Sequence, residues 1–241
     1  MTALAAALVT KLKVSNNLSE DDVQAIEALP IRRRDLEAQQ RIVADGDRPT
    51  DCCLLFSGFA YRAKTIIDGR RQVLSLHIPG EIPDMQSLHL HVMDHDLIMM
   101  TPCVVGLISH DAVKALGRAQ PAVADAFWRE TLIDAAIFRE WIVNVGARPA
   151  NARLAHLLME LYRRLEVIGQ AKDDEFVFPI TQADLGDCLG LSAVHVNRVL
   201  QELRREGFVE VQRGRFRILE RAKLEAFGSF EDGYLHLKPT S

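Results

Sequence analysis

Val194, Arg198, Gln201 and Arg205 recur at i, i+4, i+7 and i+11 in the stretch "LSAVHVNRVLQELRREG". On a helix that spacing puts all four on one face. Asn197 and His195 lie beside them. A guanidinium, two amides and a branched apolar group are the side chains that read base edges in a major groove. Arginine matches guanine O6 and N7, asparagine or glutamine matches adenine N6 and N7, and an apolar group meets the thymine methyl. The opposite stripe, Val196, Val199, Leu200 and Leu203, has the three-and-four spacing of a face turned to a core. The charge agrees with a polyanion as partner. From Val196 to Lys223 there are eight Lys and Arg against four Glu, a local balance of +4, in a chain whose net charge is −4. A protein that is acidic overall and basic in one segment is built to place that segment on phosphates.

A second constellation could hold a metal. "HLHVMDHD" supplies His89, His91, Asp94, His95 and Asp96, with His77 upstream. Imidazoles and carboxylates suit a transition metal, and on a strand His89 and His91 would share a face. A His-rich polar loop is the plainer expectation, so no metal is assigned. The four cysteines (Cys52, Cys53, Cys103, Cys188) include no C-x-x-C pair. Free thiols in a reducing cytoplasm follow. There is no G-x-S-x-G, no glycine-rich phosphate loop with lysine and no H-E-x-x-H, so an enzyme is not expected. No apolar run approaches the ~20 residues of a membrane span. "MTALAAALVTKLKV" lacks a basic start and reads as a helix or arm, not a signal peptide.

The elements around the basic segment position it. Thr181 with Asp184 forms a capping signal for one helix, Gly190 supplies a turn, and Ser192 caps the next. "FVEVQRGRFRIL" then reads as two short strands about a tight Arg213-Gly214 turn. Arg213 and Arg215 sit there as candidate phosphate contacts. Upstream, "ANARLAHLLMELYRRLEV" predicts an amphipathic helix. Before it, Ala122 to Val145 contains no Gly or Pro, is 24 residues long and would extend about 36 Å. Pro121 suits its first turn, and Gly146 and Pro149 end it. One seam on it runs Ala124, Trp128, Thr131, Ala135, Phe138, Ile142, Val145; another stripe is Ile133, Ile137, Trp141. Two stripes leave one for a partner, which predicts a homodimer. From Arg32 to Ile108 the segments are strand-length, among them "CCLLFSG", "FAYRAKTI", "RQVLSLHIPG" and "CVVGLIS", with Asp68-Gly69 as a hairpin signal. Ser19 with Asp22 starts an earlier helix that Pro30 stops.

"TQADLGDCLGLSAVHVNRVLQELRREG" followed by "VQRGRFRI" resembles the DNA-binding domain of the Crp/Fnr family of bacterial transcription regulators. "LLFSGFAYR" and "DGRRQVLSLHIPGE" are similar to that family's N-terminal effector-binding β-roll. The resemblance covers nearly the whole chain. It implies an α+β fold: an N-terminal double-stranded β-helix (jelly roll) like a cyclic-nucleotide-binding domain over 1–117, a dimerisation helix over 118–147, a winged helix-turn-helix over 148–224 and a tail over 225–241. It implies a homodimer on double-stranded DNA with a near-palindromic operator, and contact with RNA polymerase. Carried over residue by residue, Gly80-Glu81 matches the phosphate-binding turn of the cyclic-AMP branch, and Phe138 and Arg139 fall where that branch keeps the hydroxyl pair that holds adenine. The Arg-Ser pair that should follow the turn is missing from "HVMDHDLIMMT", where Asp94 and Asp96 would repel a phosphate. Cyclic AMP is therefore not expected. The first 51 residues contain no cysteine, so the iron–sulfur cluster of the oxygen-sensing branch is not expected either. Arg198 matches the family's base-reading arginine, but Val194 replaces the glutamate four residues before it. Two alternatives to the DNA-binding regulator are a cyclic-nucleotide-type regulatory module and a metal- or redox-responsive regulator using the His/Asp cluster.

Overall fold

The computed structural model describes residues 3–238. The ends of the opening arm and of the predicted tail lie outside these residues. The chain forms two compact units, the first made of the N-terminal region up to Ala135 and the second of Ala136–Leu237, with Arg70–Val73 grouped with the second.

In the first unit, α1 (Ala3–Ser15) and α2 (Glu20–Glu27) precede the strands β1 (Arg32–Leu36), β2 (Arg41–Val43), β3 (Asp51–Ser57), β4 (Ala60–Thr65) and β5 (Arg71–His77). The short helix α3 (Ser87–Leu90), β6 (Asp96–Met99), β7 (Cys103–Ser109) and α4 (His110–Ala119) follow. The capping box predicted at Ser19 is formed, with the Asp22 amide donating to the Ser19 hydroxyl and the Asp22 carboxylate accepting from the Ser19 amide. The strands build two sheets in the orders β1-β7-β3 and β2-β6-β4-β5. The Asp68-Gly69 signal marks a hairpin, closed by a loop with Gly69 at φ +85°.

β3 explains why its sequence is apolar without alternation. Cys53 and Leu55 face the interior between the two sheets with Leu36, Val43, Leu97, Met99 and Val105. Cys52 and Leu54 face the other way, into a layer of Leu8, Leu12, Ile26, Val113, Val123 and Phe127 from the flanking helices. A strand covered on both faces has no polar side. Adjacent Cys52 and Cys53 therefore point in opposite directions, and all four cysteines are free and buried.

The long helix α5 runs Pro121–Ala147. It passes straight through Gly146 and ends before Pro149, because a residue preceding proline is driven out of the α region. Its stripe Ile133, Ile137 and Trp141 is buried within the chain. Its seam leaves Trp128 64% and Ile142 68% exposed, with Leu132 and Val143 beside them also exposed.

In the second unit α6 (Ala150–Val167) is the central helix. The predicted helix is there, and it is buried on nearly every side, from Ala152 to Leu165. Around it stand β8 (Ala171–Lys172), β9 (Glu175–Val177), α7 (Gln182–Leu189), α8 (Ala193–Arg205), β10 (Val209–Gln212), β11 (Arg215–Ile218), α9 (Arg221–Gly228) and a 3-10 turn at Asp232–Leu235. The wing belongs to a four-stranded sheet ordered β10-β11-β9-β8.

Candidate nucleic-acid interface

Thr181 caps α7, accepting from the Asp184 amide at 3.1 Å. Gly190 takes the left-handed conformation at its end, φ +65°. Ser192 caps α8, accepting from the His195 amide at 3.2 Å. The two helices meet closely at Gly186, where a Cβ would stand 2.4 Å from the Leu191 carbonyl, so only glycine allows the turn to fold back on α7.

In α8 Val196, Val199, Leu200 and Leu203 are buried. Val194, Asn197, Arg198, Gln201 and Arg205 are exposed, Val194 to 82%, and His195 is half-buried. The Arg198 guanidinium donates to His195 Nε2 at 2.9 Å. Arg205 lies 3.6 Å from Glu206. The Arg213-Gly214 turn has positive φ at both residues, +50° and +77°, the form that matches the twist of a two-residue hairpin. Arg213 and Arg215 are exposed on it. Glu175 of β9 lies between Arg215 and Arg217, at 3.6 and 3.4 Å. Such exposed pairs contribute under about 1 kcal/mol and yield readily to a phosphate.

Two contacts absent from the sequence patterns hold this surface. Arg153 of α6 donates to the Leu189 carbonyl at the end of α7 at 3.0 Å and to the Arg148 carbonyl at 2.8 Å. Asn151 donates to Glu202 of α8 at 2.9 Å. Leu189 and Glu202 are far in sequence from their partners, and no local periodicity announces them.

Gly80 stands at φ +91°, and a Cβ there would meet the Ala7 carbonyl at 2.7 Å and Lys11 Cβ at 2.6 Å. The Glu81 carboxylate lies 3.1 Å from His77 Nδ1. Beside this turn, Arg62 of β4 is buried. It donates to the Pro83 carbonyl through Nε at 2.7 Å and to Asp134 of α5 at 2.6 Å. The α5 residue engaged here is Asp134, one turn before Phe138 and Arg139; Phe138 is half-buried and Arg139 exposed. An arginine inside the apolar strand "FAYRA" was the available signal, since a charge in such a strand is buried and must be paired. Burial, reinforced by the Arg62 charge, holds both His77 and His95 below the usual imidazole range.

The metal candidates do not converge. His89 lies on the helix α3, not a strand, and His91 is that helix's left-handed cap at φ +57°, so they share no strand face. His95 turns inward to Gln86 and to Asp94, 2.6 Å from its Nδ1. Among the described residues no group of three or more His, Cys, Asp or Glu is placed to hold a metal. Nor is any helix among them long and apolar enough to cross a membrane.

Two antiparallel sheets enclosing a core, a long helix and a winged helix-turn-helix with a polar, basic exposed helix define a DNA-binding regulator carrying a cyclic-nucleotide-binding-type domain. Residues 152–227 match the Crp-like helix-turn-helix domain family, and residues 33–120 match the cyclic nucleotide-binding domain family. The chain belongs to the Crp/Fnr family of transcription regulators. It is 25% identical over 210 residues to the transcriptional activator protein FnrL of Cereibacter sphaeroides, covering 84% of this chain and 83% of that one. It is 24% identical over 220 residues to the nitrogen fixation regulation protein FixK of Bradyrhizobium diazoefficiens, covering 90% of each. The fold is similar to that of FixK2 from Bradyrhizobium japonicum, with TM-score 0.74, 21% identity, and 83% of this chain and 98% of that chain covered.

Proposed function

We propose that the protein binds a near-palindromic operator as a homodimer in the cytoplasm, contacts RNA polymerase there, and carries no catalytic activity. One observation carries the proposal: α8 is capped at Ser192, buries one stripe, and leaves Val194, Asn197, Arg198, Gln201 and Arg205 exposed on the other. A core-covering helix has no use for an exposed valine between polar residues; a thymine methyl gives it one. Ser192 and His195 stand at the end of α8 that enters a groove first. Arg213 and Arg215 on the wing supply phosphate contacts. The exposed seam of α5, with Trp128 and Ile142, supports the dimer, whose half-sites would lie about 34 Å apart, one turn of the duplex. A redox switch through thiols finds no support, because burial pushes the Cys53 and Cys188 thiols far from the thiolate form.

The test compares Arg198→Ala and Arg215→Ala on the operator and its single-base variants across a salt series. Loss of Arg198 should cost about 1–3 kcal/mol and relax discrimination at one base pair per half-site. Loss of Arg215 should weaken all sequences alike and lower the salt slope by about one unit per half-site. If Arg198→Ala left discrimination intact, α8 would not be the reading helix.

A further inference from the structure

Glu160, in the middle of α6, is fully buried. A carboxylate in such a place is tolerated only when donors fill its lone pairs. Here the donors come from three elements. Trp141 Nε1 of α5 donates at 3.1 and 3.2 Å to the two oxygens. Arg164 of α6 donates at 3.0 Å. The Tyr234 hydroxyl, from the 3-10 turn beyond the wing, donates at 2.8 Å. Burial first, and then the Glu160 charge, push the Tyr234 phenol far up, so it stays protonated as a donor. His156 Nδ1 faces the Gly228 carbonyl at 3.3 Å, its Nε2 lies 3.1 Å from the phenol oxygen, and the imidazole stacks on the Tyr234 ring with centroids 5.9 Å apart and planes 13° from parallel. A second tie lies nearby: Arg148, at the junction of α5 and α6, bonds both Glu140 of α5 and the Ser229 carbonyl.

The segment after Gly228 therefore grips the end of α5 and the middle of α6 together. It lies beyond residue 227, where the match to the Crp-like helix-turn-helix family ends, so it adds to the DNA-binding domain from outside. We propose that residues 229–235 are a clamp that fixes the angle between α5 and α6, with Tyr234 as the positioning residue for paired half-site recognition. This rests on the dimeric DNA-binding function proposed above. α5 carries the seam between copies and α6 roots the helix-turn-helix, so a fixed angle between them sets one separation of the two reading helices. A loosened angle lets the dimer follow operators of other spacing.

The experiment measures affinity of the full chain for the operator and for the same operator with one base pair inserted at its centre. The insertion moves one half-site by about 3.4 Å and about 35° relative to the other. The variants are Tyr234→Phe, which loses only the hydroxyl, and Trp141→Phe, which loses the donor from the other side of Glu160. In each the penalty for the insertion should fall at least about fivefold relative to the wild-type chain, the factor that one net hydrogen bond is worth. Affinity for the native spacing should change less than that. A purely structural role would lower thermal stability and leave the ratio of the two affinities unchanged. An insertion penalty equal to wild type in whichever variant folds, with wild-type binding intact, overturns the clamp. Failure of the wild-type chain to prefer paired half-sites at all counts against the dimeric operator reading instead.

Discussion

Replacing Asp84 with asparagine should remove a pH dependence of stability that the wild-type chain carries between about pH 4 and pH 6. Asp84 is 1% exposed and accepts the Cys53 amide at 2.8 Å. Burial raises its carboxyl to about 6, against the lowering effect of two backbone amides and the Arg62 charge. The unfolded value is near 3.9. The folded state therefore keeps a proton that the unfolded state has lost, and folding takes up protons across this window. The stability so gained is complete below about pH 4 and is lost as pH rises through about 6. A gap of roughly two pH units corresponds to about 3 kcal/mol, of which about half falls above pH 5. Asparagine keeps an acceptor oxygen for the Cys53 amide and cannot ionise. Arg62 retains Asp134 as its counter-charge. Any fixed cost of the extra amide donors cancels when the difference between the two proteins is compared across pH. Urea unfolding at pH 5 and pH 8 should show Asp84→Asn gaining about 1.5 kcal/mol on wild type between the two conditions. A difference that stayed flat with pH would refute the assignment of a raised Asp84 carboxyl.

Ile142→Glu, on the exposed seam of α5, should convert dimers to monomers in sedimentation velocity, and Trp128→Glu should do the same; unchanged dimers would put the interface elsewhere. Cyclic AMP should give no binding heat at micromolar concentration. The segment after Gly80-Glu81 lacks an arginine for the phosphate, and the nearby Arg62 is held by Pro83 and Asp134. A micromolar constant by calorimetry would overturn this.

The helix-turn-helix was legible because its signals are local. Thr181, Gly190 and Ser192 each act on backbone within a turn, and the stripes of α8 repeat at helical spacing. The two stripes of α5 were legible for the same reason. β1, with "RRRD" exposed along it, carries no apolar alternation and is held by pairing with β7 over residues far away in sequence. The β8–β9 hairpin turns on Asp173-Asp174, both at positive φ, without the glycine that marks such turns. Arg62 and Asp134 stand 72 positions apart, and Tyr234 and Glu160 stand 74 apart. Polar partners so far apart are written in no periodicity. His89 and His91 could share a face only on a strand; a spacing of two in a His-rich polar stretch carries no periodicity, and the backbone there makes a short helix capped at His91.

The close approach at Gly80 has a mechanical consequence. The turn rests directly against the backbone of α1, and α1 is fastened to α5 where Lys11 and Ser15 both bond Glu130. A ligand that pushed the Gly80-Glu81 turn outward would have to lift the N-terminal helix with it. Lifting that helix pulls on Glu130, a residue of the same long helix that bears the exposed seam. Turn, N-terminal helix and long helix are thus joined in series through Gly80, and even a methyl group at that position would force the turn and α1 apart.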